Sequence, residues 1–94
     1  MDIEIQNQES ETKGSYFVEV EGKKVGEMTY SIAGTDRIII DHTEVDDSMR
    51  GAGLGKKMVV RAVEDARKKG ISIVPLCPFA RSVFDKNEVL KDVL

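Results

Sequence analysis

The sequence predicts one α+β domain over residues 1–94. Its mixed sheet would begin as an antiparallel meander and continue into a β-α-β crossover, with a helix at the C-terminus. Apolar and polar side chains alternate through residues 15–32, as in strands with one solvated face. An apolar repeat of about four residues then runs through residues 54–69, as in an amphipathic helix. A length of 94 residues is typical of one hydrophobic core.

The first third of the chain predicts the antiparallel strands. Ile3 and Ile5 alternate with polar neighbours and indicate a short edge strand. Residues 15–22 and 24–32 each place aromatic and aliphatic side chains on one face and polar side chains on the other. Residues 21–23 supply a glycine turn between these two strands.

Two further strands are predicted to be buried on both faces. Ile38, Ile39 and Ile40 put β-branched side chains on both faces of residues 37–45, as in a covered central strand. Residues 71–76 are likewise predicted to form a short strand that is buried on both faces. Because a helix separates these strands, they are expected to pair in parallel through a right-handed crossover.

The crossover helix is predicted over residues 54–69. Gly70 follows a cationic last turn and is typical of a helix C-cap. A second helix is predicted over residues 79–87, with Phe79 packed inward, and residues 88–94 add one more turn. The apolar face of the first helix consists of Leu54, Met58, Val59, Ala62, Val63 and Ala66.

Composition excludes several classes of protein. With 14 Lys+Arg against 17 Asp+Glu, the net charge is −3, which argues against a nucleic-acid-binding module. No apolar run approaches the ~20 residues of a membrane span, and the first residues do not resemble a secretory signal. The single Cys77 excludes an internal disulfide and a multi-cysteine metal site. We therefore expect a cytoplasmic protein without a metal, either a monomer or a weak dimer.

A glycine-rich segment, residues 50–57, lies between the Ile-rich strand and the long helix. Unpaired amides and the helix dipole favour an anion at such a position, and Arg50 and Lys56 add positive charges. The spacing fits neither the P-loop nor the dinucleotide fingerprint. A phosphate or pyrophosphate site is therefore predicted, with a merely flexible start of the helix as the alternative.

These residues resemble a known family. Arg50-x-x-Gly53-x-Gly55 is similar to the pyrophosphate motif R/Q-x-x-G-x-G/A of the GNAT superfamily of N-acetyltransferases. Residues 41–45 (Asp-His-Thr-Glu-Val) and 77–79 (Cys-Pro-Phe) bracket the motif as in the compact GNAT-like subfamily. The resemblance covers the whole chain and implies that it binds acetyl-CoA.

The resemblance also implies a set of site residues. Pantetheine would lie where the strands on either side of the helix diverge, bonded to the backbone of Glu44, Val45 and Asp46. The acetyl thioester would end near His42 and Cys77. The pyrophosphate would be held by Arg50 and the amides of Gly51, Ala52, Gly53, Leu54, Gly55 and Lys56, with Lys56 or Lys57 reaching the 3′-phosphate.

Acetyl transfer to an amine favours a base with a pKa near neutrality. His42 is the single histidine, and Glu44, two residues along the same strand, is the alternative base. His42 is otherwise a polar residue bonded to Asp41 or to the backbone. Cys77 has three interpretations: inert packing, an acceptor of the acetyl group, or a proton donor to the departing thiolate.

The sequence therefore predicts an N-acetyltransferase acting on an unidentified amine or protein. Two alternatives stay open: a non-catalytic acetyl-CoA-binding or regulatory module, and acetyl transfer through Cys77. The predicted turns are short where larger superfamily members place helices that build the acceptor site. Residues 79–94 also lack the tyrosine that the superfamily commonly uses as general acid.

Overall fold

A computed structural model of the chain describes residues 3–49 and 51–94. Within them lies a five-stranded sheet whose strands follow one another in chain order. The strands are β1 (Gln6–Glu9), β2 (Lys13–Val20), β3 (Lys23–Ala33), β4 (Arg37–Val45) and β5 (Ser72–Pro75). The α-helices are α1 (Leu54–Lys69) and α2 (Pro78–Lys86), and 3₁₀ segments cover Asp47–Met49 and Glu88–Val93.

The sheet is mixed, as predicted. β1 to β4 pair antiparallel in sequence, and β4 pairs with β5 in parallel. Residues 21–22 connect β2 to β3, and residues 34–36 connect β3 to β4. Since α1 lies between β4 and β5 in the chain, both the predicted meander and the predicted β-α-β unit are confirmed.

The N-terminal edge strand begins later than predicted. β1 starts at Gln6, which pairs with Phe17 of β2, so the two isoleucines before it lie outside the ladder. Ile3 and Ile5 are instead half-buried against the core. The guanidinium of Arg61 on α1 donates to the Ile5 carbonyl at 3.1 Å. The apolar alternation here reflects packing rather than strand pairing.

Both α-helices lie on one face of the sheet. Met28 of β3 and Ile40 of β4 are fully buried there, in one core with Met58 of α1 and Phe84 of α2. We call this face the helix side and the opposite face the open side. The fold therefore has two layers, with the helices packed on one face of the sheet and the other face turned toward solvent.

No helix in residues 3–49 or 51–94 covers the open side. Ile39 of β4 and Val74 of β5 pair with each other there, and both are half-buried. The prediction that residues 37–45 and 71–76 are covered on both faces is therefore wrong. One face of each strand is buried by the helices, while cross-strand contacts shield the apolar side chains of the other face.

α1 buries the predicted apolar face. The helix ends at Gly70, whose φ of 68° is left-handed and whose amide donates to the carbonyls of Ala66 and Arg67. This is the predicted glycine C-cap, since glycine adopts a positive φ without steric cost. The buried residues of the helix are Leu54, Gly55, Met58, Val59, Ala62, Val63 and Ala66.

α2 begins where the sequence predicts, but Phe79 does not pack inward. Phe84 is fully buried, whereas Phe79 is 42% exposed. The Phe79 ring lies against the backbone of Gly55 in the first turn of α1, and an added Cβ at Gly55 would overlap the ring. The close approach of α2 to α1 therefore requires glycine at this position. The predicted extra turn is present as Glu88–Val93.

Candidate functional site

The start of α1 has the features of the predicted anion site. Gly53 is the N-cap residue, with φ 72° and ψ 25°, and Gly51 has φ 86°. No side chain caps the helix, and amides in a first helical turn have no partner within the helix. The amides of Leu54, Gly55 and Lys56 therefore remain at the positive end of the helix dipole, which suits an anion.

Two residues predicted to belong to this site differ from the others. The Ala52 amide donates to the Met49 carbonyl at 3.2 Å, so a bond within the chain already engages it. Arg50 lies outside the described residues, and its predicted role stays a prediction. The space beside Gly51 and Gly53 is open, because nothing lies within 4 Å of a Cβ added at either residue. A ligand can therefore reach this backbone.

A groove of about 420 Å³ runs from the start of α1 along α2. Gly53 and Lys56 line it on α1, Phe79 and Lys86 line it on α2, and Val45 lines it at the end of β4. We call it the first groove. Its volume is in the range of small-molecule sites, and one extended ligand in it would touch both the helix start and β4.

β4 and β5 diverge next to this groove. Their last paired residues are Ile40 and Pro75, after which the Cys77 amide donates to the Ile40 carbonyl at 3.0 Å. β4 continues to Val45 without β5 beside it. The register between β3 and β4 also shifts, which leaves Asp41 as an extra residue of β4. A bulge of this kind bends a strand, and here it coincides with the gap.

The backbone groups of β4 beyond Ile40 determine which hydrogen bonds a ligand in the gap could form. The Asp46 amide donates to the Val25 carbonyl at 2.8 Å, and the Asp46 carbonyl accepts from the following 3₁₀ segment at 2.9 Å. Alternate residues of a strand point their backbone groups to the same edge, so those of Glu44 also face β3. Thr43 and Val45 instead face the gap. The structure does not offer the expected backbone groups of Asp46 and Glu44 to a ligand.

Cys77 lies at this gap on the helix side. It is the N-cap residue of α2 and is only 5% exposed, and its Sγ is 3.4 Å from Thr43 Oγ1. Burial raises the pKa of the Cys77 thiol, but hydrogen bonding to Thr43 and to the amides of Ala80 and Phe79 outweighs burial and lowers it from its ordinary value. The thiol is therefore polarised as well as buried.

His42 lies on the open side of the same strand. Its Nε2 is 3.2 Å from Glu44 Oε1, and the two side chains are 64% and 75% exposed. This contact shows that the two side chains lie on the same face of β4. The carboxylate of Asp41 accepts from the Ser31 hydroxyl at 2.6 Å, so the carboxylate beside His42 is that of Glu44. The pair forms an exposed acid–base couple.

The structure does not bring His42 and Cys77 onto one face. Thr43, the neighbour of His42, points its side chain to Cys77 on the helix side. Successive side chains of a strand point to opposite faces, so His42 points to the open side. The two predicted reactive groups therefore flank β4 from opposite sides, and only a group placed in the gap beside β4 could lie between them.

Two residues of the site escaped the sequence interpretation. Thr43 bonds Cys77 and points its backbone to the gap, and Phe79 lines the first groove rather than the core. If the position of the bulge had been known, the alternation of residues 41–45 would have placed the Thr43 side chain on the helix side. Phe79 gave no such signal, because an aromatic residue in a helix usually indicates core packing.

The described part of the chain contains no group of three or more His, Cys, Asp or Glu residues arranged to hold a metal ion. No helix in that part has both the length and the apolar character required to cross a membrane.

Comparison with known proteins assigns the family. Residues 15–93 match the model of a family described as GCN5-related N-acetyl-transferase. Among solved structures, the chain is similar to a GCN5-like protein from Staphylococcus aureus, with 32% sequence identity and a TM-score of 0.72, over 94% of this chain and 85% of that one. No curated protein sequence matches the chain.

More distant structures share the fold alone. The ribosomal-protein-alanine N-acetyltransferase from Brucella melitensis biovar Abortus 2308 is 20% identical, with a TM-score of 0.68, over 82% of this chain. The present chain spans only 62% of the length of that protein. The family match covers most of the chain and agrees with the mixed sheet and the glycine-rich helix start. The chain belongs to the GCN5-related N-acetyltransferase family.

Proposed function

We propose that this protein transfers the acetyl group of acetyl-CoA to an amine. The observation that carries the proposal is the uncapped start of α1, which opens into a groove leading to the gap between β4 and β5. An elongated ligand with a central pyrophosphate and a peptide-like arm fits that arrangement. Family membership supports the same activity, and a solved structure of similar fold, from Bacillus anthracis, contains acetyl coenzyme A (TM-score 0.57, 18% identity).

The residues present fit this ligand. The pyrophosphate would bond the amides of Leu54, Gly55 and Lys56, with the Lys56 ammonium adding charge. The open space at Gly53 supports this assignment, since a side chain there would stand in the path of the phosphates. The pantetheine amides would bond the backbone of Val45 and Thr43, in the manner of an added strand. Arg50 is proposed as a further pyrophosphate ligand.

The bound coenzyme supplies an acetyl thioester, whose carbonyl carbon forms a bond to the amine nitrogen while its bond to sulfur breaks. The attacking nitrogen must be neutral, yet an ordinary lysine amine with a pKa of about 10.4 is neutral in only about one molecule in a few thousand at pH 7. His42 is proposed to accept the proton that the amine loses, and Glu44 to stabilise the resulting imidazolium. Their exposure on the open side suits an amine arriving from solvent.

Cys77 is proposed to act on the opposite side of β4. A lowered thiol pKa favours either proton donation to the departing coenzyme thiolate or formation of an acetyl-cysteine that passes the group on. In the first role the proton moves from Sγ to the leaving sulfur. In the second role Sγ itself carries the acetyl group, so the mass of the protein distinguishes the two.

A binding module without turnover is the second candidate. The observation in its favour is the brevity of the connections at residues 21–22 and 34–36, which leaves the open side without helices to shape an acceptor pocket in the described residues. Such a module would bind acetyl-CoA with the same residues and release no thiol. The acetyl-CoA-bound form would then regulate a partner rather than donate its acetyl group.

The deciding experiment follows coenzyme thiol release and intact protein mass with acetyl-CoA and either a lysine peptide or a small primary amine. We expect thiol release that depends on the amine and falls in His42→Ala. A mass gain of one acetyl group that is absent in Cys77→Ala would assign the carrier role to Cys77. Saturable binding without thiol release or mass gain would favour the binding module over transfer to these amines.

A matched glycine pair tests the binding site. Gly53→Val should abolish acetyl-CoA binding, measured by titration calorimetry, because its side chain blocks the pyrophosphate. Gly70→Val is the control, since Gly70 has nearly the same left-handed backbone, φ 68° against 72°, at the other end of the same helix and equally open surroundings. Equal loss of affinity in both variants, or none in Gly53→Val, would show that the helix start is not the site.

A further inference from the structure

A cavity of about 360 Å³ lies on the helix side, at the end of α1 opposite the helix start. Asp65 and Lys69 line it from α1, and we call it the tyrosine cavity because Tyr16 and Tyr30 line it from the sheet. Its described lining residues all differ from those of the first groove. Lys69 lies about 20 Å along the helix axis from Leu54, so this cavity is separate from the proposed coenzyme site.

Two buried tyrosines donate to carboxylates at one end of the tyrosine cavity. The Tyr16 hydroxyl donates to Asp65 Oδ2 and the Tyr30 hydroxyl donates to Glu9 Oε2, each at 2.7 Å. Burial raises the pKa of both hydroxyls, that of Tyr30 to about 12, so they stay protonated and their protons stay in these bonds. The carboxylate oxygens can accept further bonds, whereas the hydroxyl protons are already used. This end of the cavity therefore suits a cationic donor such as an ammonium group.

Two cations line the other end of the cavity. Lys69 is the last residue of α1 and Arg37 is the first residue of β4, whereas the two carboxylates are held at β1 and β2. Asp65, one helical turn before Lys69, is engaged by Tyr16, and Lys69 has no ion-pair or hydrogen-bond partner in residues 3–49 and 51–94. Arg37 forms a long surface ion pair, with Nε 3.9 Å from Asp36 Oδ1. This end therefore suits a ligand anion.

Most of the remaining lining is apolar. Ala62 and Ala66 line the cavity from α1, Ile32 and Ile38 line it from the sheet, and Ile71 lines it after the helix. The small alanine side chains leave space between the helix and the sheet that larger side chains would fill. Because β2 and β4 are two strand spacings apart, the two charged ends are separated by about 10 Å. A chain of several methylene groups can span that distance over an apolar surface.

We propose that the tyrosine cavity binds an ω-amino carboxylate, an aliphatic chain with an ammonium at one end and a carboxylate at the other. The ammonium would bond the carboxylates of Glu9 and Asp65, and the ligand carboxylate would bond Lys69 and Arg37. A zwitterion matches this lining because its two positive and two negative side chains lie at opposite ends. A ligand with a single charge would leave one of these pairs unmatched. This site is separate from acetyl transfer and does not rest on the proposed function.

The test titrates 6-aminohexanoate, hexylamine and hexanoate into isotope-labelled protein and follows the backbone amide shifts by NMR. Wild-type protein should bind 6-aminohexanoate about tenfold more tightly than either analogue with one charge, with the largest shifts near Thr35 and Lys69. Lys69→Gln should lower that affinity about fivefold or more, because one charge-assisted bond is lost. Lys68→Gln is the matched control and should keep the full affinity, since Lys68 is also exposed but lies outside the lining.

A second matched pair tests the carboxylate end. Glu9→Gln should lower the affinity for 6-aminohexanoate by a similar factor, although its amide oxygen can still accept from Tyr30. Glu11→Gln is the control, since Glu11 is exposed and lies outside the lining. Gly53→Val, which is designed to block the coenzyme site, should leave this affinity unchanged.

Three results would overturn the inference. Equal affinity for hexylamine and 6-aminohexanoate would show that Lys69 and Arg37 do not hold a ligand anion. Shifts concentrated at the start of α1 would place the ligand in the first groove instead. The absence of any saturable shift at tens of millimolar ligand would show that the tyrosine cavity does not take this class of compound. Each of these results leaves the proposed acetyl transfer untouched, since that proposal is tested by coenzyme binding and thiol release.

Discussion

The two sides of β4 differ sharply, although a single strand supplies both. On the helix side, Thr43 reaches a thiol that is 5% exposed and held at the start of α2. On the open side, His42 and Glu44 form a pair of which more than half remains exposed to solvent. Adjacent residues of one strand thus lie in different environments: Thr43 contacts a buried, polarised thiol, whereas His42 is exposed to solvent.

This difference indicates how two proton transfers can be separated. A base that receives a proton from an incoming amine is best placed where the amine arrives, at the solvent. A group that donates a proton to the departing thiolate is best placed where water is excluded and hydrogen bonds are strong. A thioester lying in the gap beside β4 would meet one group on each side. Substitutions that affect one side and spare the other test this comparison.

The largest expected contrast is in stability. Ile40 is fully buried on the helix side, whereas its neighbour Ile39 is half-buried on the open side. Ile40→Ala should lower the free energy of unfolding by about 2–5 kcal/mol, and Ile39→Ala by about 1 kcal/mol or less. Chemical denaturation of the two variants measures both. Equal losses would mean that another surface covers the open side.

A second contrast concerns crowding between α1 and α2. Gly55→Ala should displace the Phe79 ring and cost about 1–2 kcal/mol of folding free energy, because an added Cβ overlaps the ring. In a Phe79→Ala background the same change should stabilise by up to about 1 kcal/mol, since alanine is the better helix former. A double-mutant cycle by denaturation measures the coupling. Additive effects would show that Phe79 does not rest on Gly55.

Much of this fold could be predicted from periodicity. Alternation predicted the meander, the four-residue repeat predicted the buried face of α1, and Gly70 marked its end. The open side could not be predicted, because Ile38, Ile39 and Ile40 suit a strand with one or two covered faces equally well. Which of these occurs depends on where the helices pack, and a strand's own residues do not carry that information.

The site was predictable in part for a similar reason. The glycine spacing at Gly51 and Gly53 identified the helix start, because both the φ values and the free amides are local properties. The position of His42 on the face opposite Cys77 was not predictable, since the one-residue bulge at Asp41 decides whether His42 or Thr43 shares the face of Ile40. A bulge changes which backbone groups face the gap, and the sequence has no specific signal for it.

The next contrast concerns the pKa of Cys77. Because hydrogen bonding lowers the folded-state pKa below the ordinary value, the thiolate contributes stability that is complete above the unfolded pKa and is lost as pH falls through the folded pKa. Thr43→Val removes one of these bonds, so the thiolate absorbance should appear at higher pH. Thr29→Val, a control on the open side of β3, should leave that midpoint unchanged. An unaltered midpoint in Thr43→Val would mean that Thr43 does not support the thiolate.

The smallest expected effect on folding is the most informative about catalysis. His42 and Glu44 are exposed, and exposed ion pairs contribute little, so Glu44→Gln should change the free energy of unfolding by no more than about 0.5 kcal/mol. Acetyl-CoA affinity should also hold, because the backbone of Glu44 faces β3 rather than the gap. If Glu44 stabilises the imidazolium of His42, the rate of thiol release at saturating acetyl-CoA should nevertheless fall. An unchanged rate in Glu44→Gln, with loss of rate in His42→Ala, would assign the base to His42 alone. An open side whose substitutions alter neither stability nor rate would leave the helix side of β4 as the sole reactive face.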